Sequence, residues 1–223
     1  FQAFFDRFYY QIQTGANFIN YLYIYNEVFG GDYDIGLNLN NKTVIDVGSN
    51  IGLMGFWLNK NFDHVEVHCF EAAPPLAKIC KHNVNSNCKT NRFHCNELAI
   101  GNEEQSLKIQ YFPLMNGFST MAGGFSTKIQ NMSWPVGPLI KKLSGHRQEY
   151  LVSCVRLDKY LKEHHLEEIE LLKIDVEGFE DRVLEGLGDE ITRVKNMIIE
   201  VEHFRKGQKE RVYKSLQNYT VKE

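Results

Sequence analysis

Short apolar runs alternate with helical-period segments along most of the chain. Each run is bounded by Gly, Pro, Asn or acidic residues, which predicts buried strands separated by helices. Strands and helices that alternate in this way are typical of a mostly parallel sheet with right-handed crossovers, flanked by helices. The predicted strands are 43–48, 65–70, 92–99, 106–112, 150–155, 170–175 and 195–201, and the predicted helices are 51–60, 75–87, 157–165, 179–187 and 208–217.

The first part of the chain departs from this alternation. Phenylalanine and tyrosine residues recur there at helical spacing, which predicts two helices. We interpret residues 1–41 as an N-terminal helical lid and residues 42–223 as the core domain. The lid is expected to contribute Tyr21 and Tyr25 to a substrate pocket, whereas core packing explains most of its other aromatic residues.

A second departure is the Gly- and Pro-rich stretch of residues 113–149, which has no regular apolar period. Loops of this length in compact domains are usually functional or disordered. We therefore expect a long substrate loop here, with Ser119 and Thr120 as candidate substrate contacts, although loop polarity alone also accounts for these two residues.

The unit that begins at Thr43 carries the main chemical signal, because a buried strand runs into the turn Gly48-Ser-Asn-Ile-Gly52 and then into a helix. Such a turn exposes main chain and helix N–H groups to a ligand. A dinucleotide-binding turn has a middle glycine where this turn has Asn50, whose side chain would crowd a pyrophosphate. Asp46 precedes the turn, and a carboxylate there would repel phosphates and attract a cation.

These features favour S-adenosylmethionine, which has an ammonium group and a sulfonium but no phosphate. Glu71 ends the next strand 23 residues after Gly48. This offset is close to the roughly 20 residues expected for a carboxylate that binds ribose hydroxyls. An ordinary strand-to-helix turn that happens to contain glycine is the alternative.

Catalytic candidates come from the ends of later strands, because ligands of open α/β sheets lie beyond the C-terminal strand ends. Asp175 ends an apolar strand, and Glu177 follows it with either a substrate-contacting or a structural role. Glu200 and His203 end another strand. His203 is the leading general base, because imidazole accepts a proton near neutral pH, and a surface histidine is the alternative.

Composition narrows the choice of partners and compartment. With 223 residues and a net charge of −3, the chain lacks the basic surface that nucleic acid requires. Its apolar runs are too short for a membrane span. Its five cysteines are odd in number and form no C-x-x-C pair, which fits the reduced cytoplasm. Because Phe1 stands where an initiator Met would, we expect a piece of a larger multidomain polypeptide.

Taken in order, the motifs resemble those of FkbM-type methyltransferases over about residues 40 to 203. Segments 21–36, 112–113 and 119–121 are also similar to versions found in polyketide and peptide synthase assembly lines. The segments that match the family are Asp46-Val-Gly-Ser-Asn-Ile-Gly52, Phe70-Glu-Ala-Ala-Pro-Pro75, Asn83, Leu98-Ala-Ile-Gly101, Leu157-Asp-Lys-Tyr-Leu161, Leu172-Lys-Ile-Asp-Val-Glu-Gly178 and Ile199-Glu-Val201.

The resemblance implies a Rossmann-like class I fold that methylates a substrate hydroxyl and releases S-adenosylhomocysteine. The acceptor would be a polyketide or similar natural product, free or bound to a carrier protein. The positions assigned to the cofactor are Gly48, Asn50 and Gly52 at the methionine end, Glu71 and Ala72 at the ribose, Glu97, Leu98 and Ala99 at the adenine, and Asp175 between cofactor and substrate.

One position departs from the family pattern. Family members often have a histidine directly after the Glu-Val of the fifth strand, whereas this chain has Glu202 there and His203 next.

We expect no metal ion, but two alternatives to the metal-free methyltransferase remain open. One is a methyltransferase in which Asp175 and Glu202 or His203 hold Mg²⁺. The other is a domain that binds an adenosyl compound without catalysis.

Overall fold

The structure is a computed structural model that describes residues 30, 34–87, 90–113, 120–121, 148–201 and 207–222. The predicted lid, including Tyr21 and Tyr25, lies almost entirely outside these ranges. In chain order the elements are β1 Thr43–Val47, α1 Leu53–Asn61, β2 Glu66–Phe70, α2 Pro74–Asn87, β3 Arg92–Asn96, β4 Ala99–Gly101, β5 Gln105–Tyr111, β6 Thr120–Met121, β7 Gln148–Arg156, α3 Leu157–Glu163, β8 Ile169–Ile174, α4 Glu180–Leu187, a 3₁₀ helix Gly188–Arg193, β9 Val194–Ile199 and α5 Gln208–Ser215.

The main sheet has five parallel strands in the order β3-β2-β1-β8-β9. Its central strands read as nearly continuous apolar runs because both faces of the sheet are covered. Val44 faces one hydrophobic cluster and Ile45 the other, as the alternation of side chains along a strand requires. This arrangement confirms the predicted α/β, Rossmann-like fold with a mostly parallel sheet flanked by helices.

The strand order reverses between β1 and β8, so the chain crosses over in opposite directions on the two sides of this pair. A crevice forms at such a switch point, beyond the carboxyl ends of the strands, and it is where open α/β sheets bind ligands. The turn that follows β1 and the loop that follows β8 therefore flank the expected ligand site.

A second sheet has the order β4-β7-β5-β6 and mixes parallel with antiparallel pairs. The sequence did not reveal it, because residues 92–99 were predicted as one strand. In the structure β3 ends at Asn96, and Ala99 already pairs with Cys154 in the other sheet. Residues 97–98 therefore connect two sheets rather than continue a strand.

The predicted loop of residues 113–149 also needs correction at its C-terminal end. Gln148 and Glu149 belong to β7, where they pair with Tyr111 and Gln110 of β5. The short strand β6 interrupts the stretch as well, because Thr120 pairs with Gln110 on the other edge of β5. Antiparallel pairing with β5 thus orders polar residues that have no apolar pattern of their own.

Helices cover both faces of the main sheet. One apolar cluster includes Leu53 of α1 and Leu76 of α2, and the other includes Leu161 of α3 and Val183 of α4. Within the part of the chain that the structure describes, no helix has both the length and the apolar character needed to cross a bilayer.

Candidate active site

The ends of the parallel strands are held together at one edge of the sheet. Backbone hydrogen bonds continue each pairing past the last strand residue, so the predicted site residues at these ends lie side by side. The bonds run from Gly48 N to Phe70 O (2.9 Å), from Glu71 N to Asn96 O (3.1 Å), from Asp175 N to Val47 O (3.0 Å) and from Glu200 N to Ile174 O (2.9 Å).

The turn after β1 has left-handed backbone at Gly48 (φ 81°), Asn50 (φ 50°) and Gly52 (φ 82°). Asparagine tolerates this conformation, so the turn forms without the middle glycine of a dinucleotide fingerprint. A Cβ atom on Gly48 would lie 1.7 Å from the carbonyl oxygen of Asp175. Packing of the protein against itself therefore requires glycine here, independently of the ligand approach that the sequence suggested.

Glu71 lies half-buried at the end of β2 and is held by main-chain N–H groups. Its Oε2 accepts a hydrogen bond from Asn50 N and its Oε1 one from Ala73 N, both at 2.8 Å. An ionised carboxylate has about four acceptor positions, so within the described part of the chain two remain for other donors such as hydroxyl groups. Burial raises the pKa of Glu71 to about 7, and the two N–H groups and Lys173 oppose this rise.

Asp46, Lys173 and Asp175 form a charged triad, named here the Lys173 triad, beneath the turn. The Lys173 ammonium lies 3.3 Å from Asp46 Oδ1 and 3.3 Å from Asp175 Oδ2, and it donates a 2.7 Å hydrogen bond to the carbonyl oxygen of Gly48. The side chains of Asp46 and Lys173 are 1% and 6% exposed, whereas that of Asp175 is 30% exposed.

This placement changes the interpretation of Asp46, which the sequence assigned to the cofactor as an attractive charge. Its carboxylate lies behind the turn, and burial raises its pKa although Lys173 opposes the effect. Asp175 is the member of the Lys173 triad that reaches solvent. Sequence reasoning missed the role of Lys173, and the available signal was a lysine inside an apolar strand, since a buried ammonium needs an anionic partner.

The loop after β8 is fixed by a buried acid. Glu180 is fully buried, and its Oε1 accepts hydrogen bonds from Gly178 N (2.9 Å) and Val176 N (3.3 Å), while its Oε2 accepts one from Gln208 Nε2. Glu177 lies between these anchored residues with left-handed backbone (φ 53°) and is half-buried. The loop therefore presents Glu177 in a fixed place near the switch point.

The predicted adenine border follows β3. Glu97 is exposed, Leu98 is half-buried, and Ala99 is buried at the start of β4. Ala72, assigned to the ribose side, is half-buried beside Glu71. These positions follow the ends of β2 and β3, where the resemblance assigned them, although Ala99 itself packs into the second sheet.

Tyr111 is a neighbour of Glu71 that the sequence did not single out. It is buried at the end of β5, and burial raises its pKa, with further contributions from Tyr150 and the Glu71 charge. The ring centroids of Tyr111 and Tyr150 are 6.3 Å apart. The second sheet, which the sequence did not reveal, therefore brings an aromatic residue to the neighbourhood of Glu71.

The remaining catalytic and substrate candidates are less fully described. Glu200 directly follows β9 and is exposed. The backbone of Thr120 begins β6. Ser119 and His203 lie outside the described ranges, so their roles stay predictions.

Comparison with known proteins adds an independent finding. A family model described as the methyltransferase FkbM domain matches residues 46–220. The chain is 29% identical over 182 residues to Methyltransferase 1 of Beauveria bassiana, covering 80% of this chain and 72% of that protein. It is 28% identical over 192 residues to methyltransferase sdnD of Sordaria araneosa (80% and 73%), and 30% identical over 170 residues to the 31-O-demethyl-FK506 methyltransferase FkbM of Streptomyces tacrolimicus (71% and 64%).

Proposed function

The chain belongs to the FkbM methyltransferase family, and on this premise we propose that it transfers a methyl group from S-adenosylmethionine to a hydroxyl group of a small natural product. The observation that carries this proposal is Glu71, a half-buried carboxylate at the switch-point edge whose known partners are main-chain N–H groups. Its remaining lone pairs suit the two hydroxyls of a ribose. The similarity to a protein named for methylating 31-O-demethyl-FK506 supports oxygen as the acceptor atom.

Several residues would hold the cofactor. Glu71 would bind the ribose hydroxyls, and the turn from Gly48 to Gly52 would follow the methionine portion. Asp175, the exposed member of the Lys173 triad, would meet the ammonium group of that portion. Tyr111 and residues 97–99 would border the adenosine. Asp46 would act on the cofactor only indirectly, by fixing Lys173 and through it the carbonyl of Gly48.

The reaction forms an oxygen–carbon bond, breaks the sulfur–carbon bond and releases the hydroxyl proton. S-adenosylmethionine supplies the electrophilic methyl group. The protein aligns the acceptor and excludes water, which together can lower a barrier by up to roughly 7–11 kcal/mol. A carboxylate or imidazole that takes the proton contributes about 10²–10⁴-fold. Glu177, Glu200 and His203 are our candidates for that base.

Calorimetric titration with S-adenosylhomocysteine tests the cofactor assignment. We expect 1:1 binding that does not require a divalent metal, and no binding of NAD, whose pyrophosphate Asn50 would crowd. Binding of NAD in place of S-adenosylhomocysteine would overturn the proposal. Binding without turnover on any hydroxyl acceptor would favour a non-catalytic domain.

The base and the rival metal mechanism need separate experiments. In His203→Ala we expect a larger loss of turnover than of cofactor affinity, and equal turnover would remove His203 from the mechanism. Activity that survives EDTA would exclude the alternative in which Asp175 and Glu202 or His203 hold Mg²⁺. The acceptor would be screened both as a free alcohol and as a thioester of a carrier protein.

A further inference from the structure

Three potential metal ligands converge on one face of the main sheet, far along β2 from the cofactor edge. Glu66 and His68 of β2 share this face because side chains alternate along a strand. His94 of β3 lies directly beside His68 in the parallel pairing. Tyr160 of α3 packs against the same patch, edge-on to the His68 ring.

The distances between the candidate ligand atoms are close to those around a small metal ion. Glu66 Oε1 lies 3.1 Å from His94 Nε2 and 3.9 Å from His68 Nε2, and one ligand atom from each residue falls within 4.8 Å of the other two. Metal bonds of about 2.0–2.2 Å in a tetrahedral site separate ligand atoms by roughly 3.3–3.6 Å. The His68 and His94 rings are stacked, with centroids 4.5 Å apart and planes at 16°, so the His94 ring, which is 45% exposed, must turn out of this stack to share an ion with His68.

The state of His68 is a second and independent observation. The side chain is 2% exposed, and its Nε2 atom is buried without a hydrogen-bond partner among the residues that the structure describes. A buried polar atom in this condition is costly unless something binds it. Its other ring nitrogen, Nδ1, lies 2.8 Å from the hydroxyl of Tyr160, which also accepts a hydrogen bond from Asn96 Nδ2 at 3.2 Å.

This contact with Tyr160 gives His68 the arrangement that metal-binding histidines require. When Nδ1–H donates to the Tyr160 oxygen, the Nε2 lone pair is directed toward the Glu66 carboxylate. A lone pair and a carboxylate oxygen repel each other unless a metal ion, or a proton carried on Nε2, lies between them. Hydrogen bonding of the second ring nitrogen is the usual way in which proteins orient such ligands.

Charge does not prevent cation binding here. The guanidinium of Arg92 pairs with Glu66, but it does so through Oε2, at 2.6 Å. Oε1, the oxygen that faces both histidines, lies within hydrogen-bond distance of His94 Nε2 at 3.1 Å, and a metal ion would replace this contact. Two imidazoles and one carboxylate suit Zn²⁺ and similar divalent transition metals better than Mg²⁺ or Ca²⁺, which prefer oxygen ligands.

We infer that Glu66, His68 and His94 form a binding site for a divalent transition-metal ion, represented by Zn²⁺, with water in the remaining position. Glu66 begins β2, whereas Glu71 of the proposed cofactor site follows its end, so this metal does not take part in methyl transfer. Its effect would be to join the edge strand β3 to β2 and to stabilise the folded domain, because an ion that binds only the folded state shifts folding toward it.

The test uses the full chain without a polyhistidine tag and measures Zn²⁺ binding by calorimetry and Co²⁺ binding by visible absorption. We expect one ion per chain and a rise in melting temperature on Zn²⁺ addition. His94→Ala should weaken Zn²⁺ binding at least tenfold and abolish that rise. His82→Ala removes an exposed histidine of α2 and is the matched control, which should bind Zn²⁺ like the parent protein.

Two further measurements separate this site from its neighbours. Cys69, Cys80 and Cys95 form a thiol cluster on the opposite face of β2 and β3. The inference would be overturned if the Co²⁺ spectrum showed thiolate-to-metal bands that vanish in Cys95→Ser while His94→Ala still bound the metal fully. The absence of any Zn²⁺ binding would overturn it as well. We expect His94→Ala to bind S-adenosylhomocysteine with unchanged affinity. Metal binding and cofactor binding are thus measured independently, and the failure of one proposal can be distinguished from the failure of the other.

Discussion

Asp46 lies in β1 and Glu71 directly follows the neighbouring strand β2, yet their surroundings are opposite. Asp46 is buried and its carboxylate faces the buried ammonium of Lys173. Glu71 is half-buried and is held by the main-chain N–H groups of Asn50 and Ala73. Both belong to the same sequence signature, and both were first assigned to the cofactor.

The difference between Asp46 and Glu71 shows that the partners of a buried carboxylate decide whether it supports the structure or can bind a ligand. A carboxylate enclosed with a counter-ion has its charge compensated within the protein, and removing either partner leaves an uncompensated charge. A carboxylate held only by N–H groups keeps acceptor positions directed outward. We therefore expect changes at Asp46 to lower stability and changes at Glu71 to lower cofactor affinity.

The largest effect is expected for Gly48→Ala, which alters the turn between the two carboxylates. The new Cβ would meet a backbone carbonyl at 1.7 Å, and the residue would keep a left-handed φ of 81°. We expect the free energy of unfolding to fall by more than about 4 kcal/mol, which few single substitutions reach. Equilibrium unfolding in urea measures this loss of free energy.

Gly207→Ala is the matched control for this substitution. Gly207 also has a positive φ (73°), but its Cβ would meet the ends of two flexible side chains, the guanidinium of Arg211 at 3.1 Å and the carboxylate of Glu210 at 4.0 Å. The conformational cost alone is about 1–2 kcal/mol. Equal losses in the two variants would show that the contact of Gly48 with Asp175 is not decisive.

Lys173→Met comes next, because it leaves Asp46 buried without its counter-ion. Breaking a buried pair in this way typically costs about 3–5 kcal/mol. Lys195→Met removes an exposed lysine from its ion pairs with the exposed Glu168 and the half-buried Glu170, so it should lower stability far less than Lys173→Met does. Adding Asp46→Asn to Lys173→Met should recover part of the loss, and a further loss in the double variant would contradict the pairing.

Glu71→Gln should lower cofactor affinity rather than stability, in contrast to the substitutions at Gly48 and Lys173. We expect S-adenosylhomocysteine affinity to fall more than tenfold, about 1.4 kcal/mol, while the circular dichroism spectrum stays that of the folded domain. Asp46→Asn is the comparison, and its folded molecules should bind the cofactor product within about threefold of the parent protein, because the effect of Asp46 is indirect. A larger affinity loss in Asp46→Asn than in Glu71→Gln would reverse our assignment.

The smallest effect is a pH dependence that follows from the pKa of Glu71, raised to about 7 by burial. Ribose hydroxyls donate to the ionised form, so affinity should rise with pH up to about 7 and then level off, changing at most about tenfold per pH unit. Because the folded-state pKa is raised, the stability that this group contributes is present below its ordinary pKa of 4.5 and is lost as pH rises through about 7. Glu71→Gln should remove both trends.

Much of the main sheet was predictable, because a buried strand needs apolar side chains and a turn needs residues that tolerate its backbone. The strands around Asp46 and Lys173 and the left-handed turn at Asn50 follow from such local rules. The second sheet was not predictable in the same way. The strand beginning at Gln148 is ordered by pairing with β5, and polar edge residues leave no apolar period to detect.

The sequence by itself determined the alternation of elements, the parallel sheet and the positions of the polar residues at its edge, because these depend on neighbours along the chain. Only the tertiary structure decided which of those residues are enclosed and which stay open. The hydrogen bond from Lys173 to the carbonyl of Gly48 joins residues 125 positions apart. Charge pairing and close backbone approach act through space, so no local pattern reveals that Lys173 supports the turn or that Asp46 is enclosed behind it.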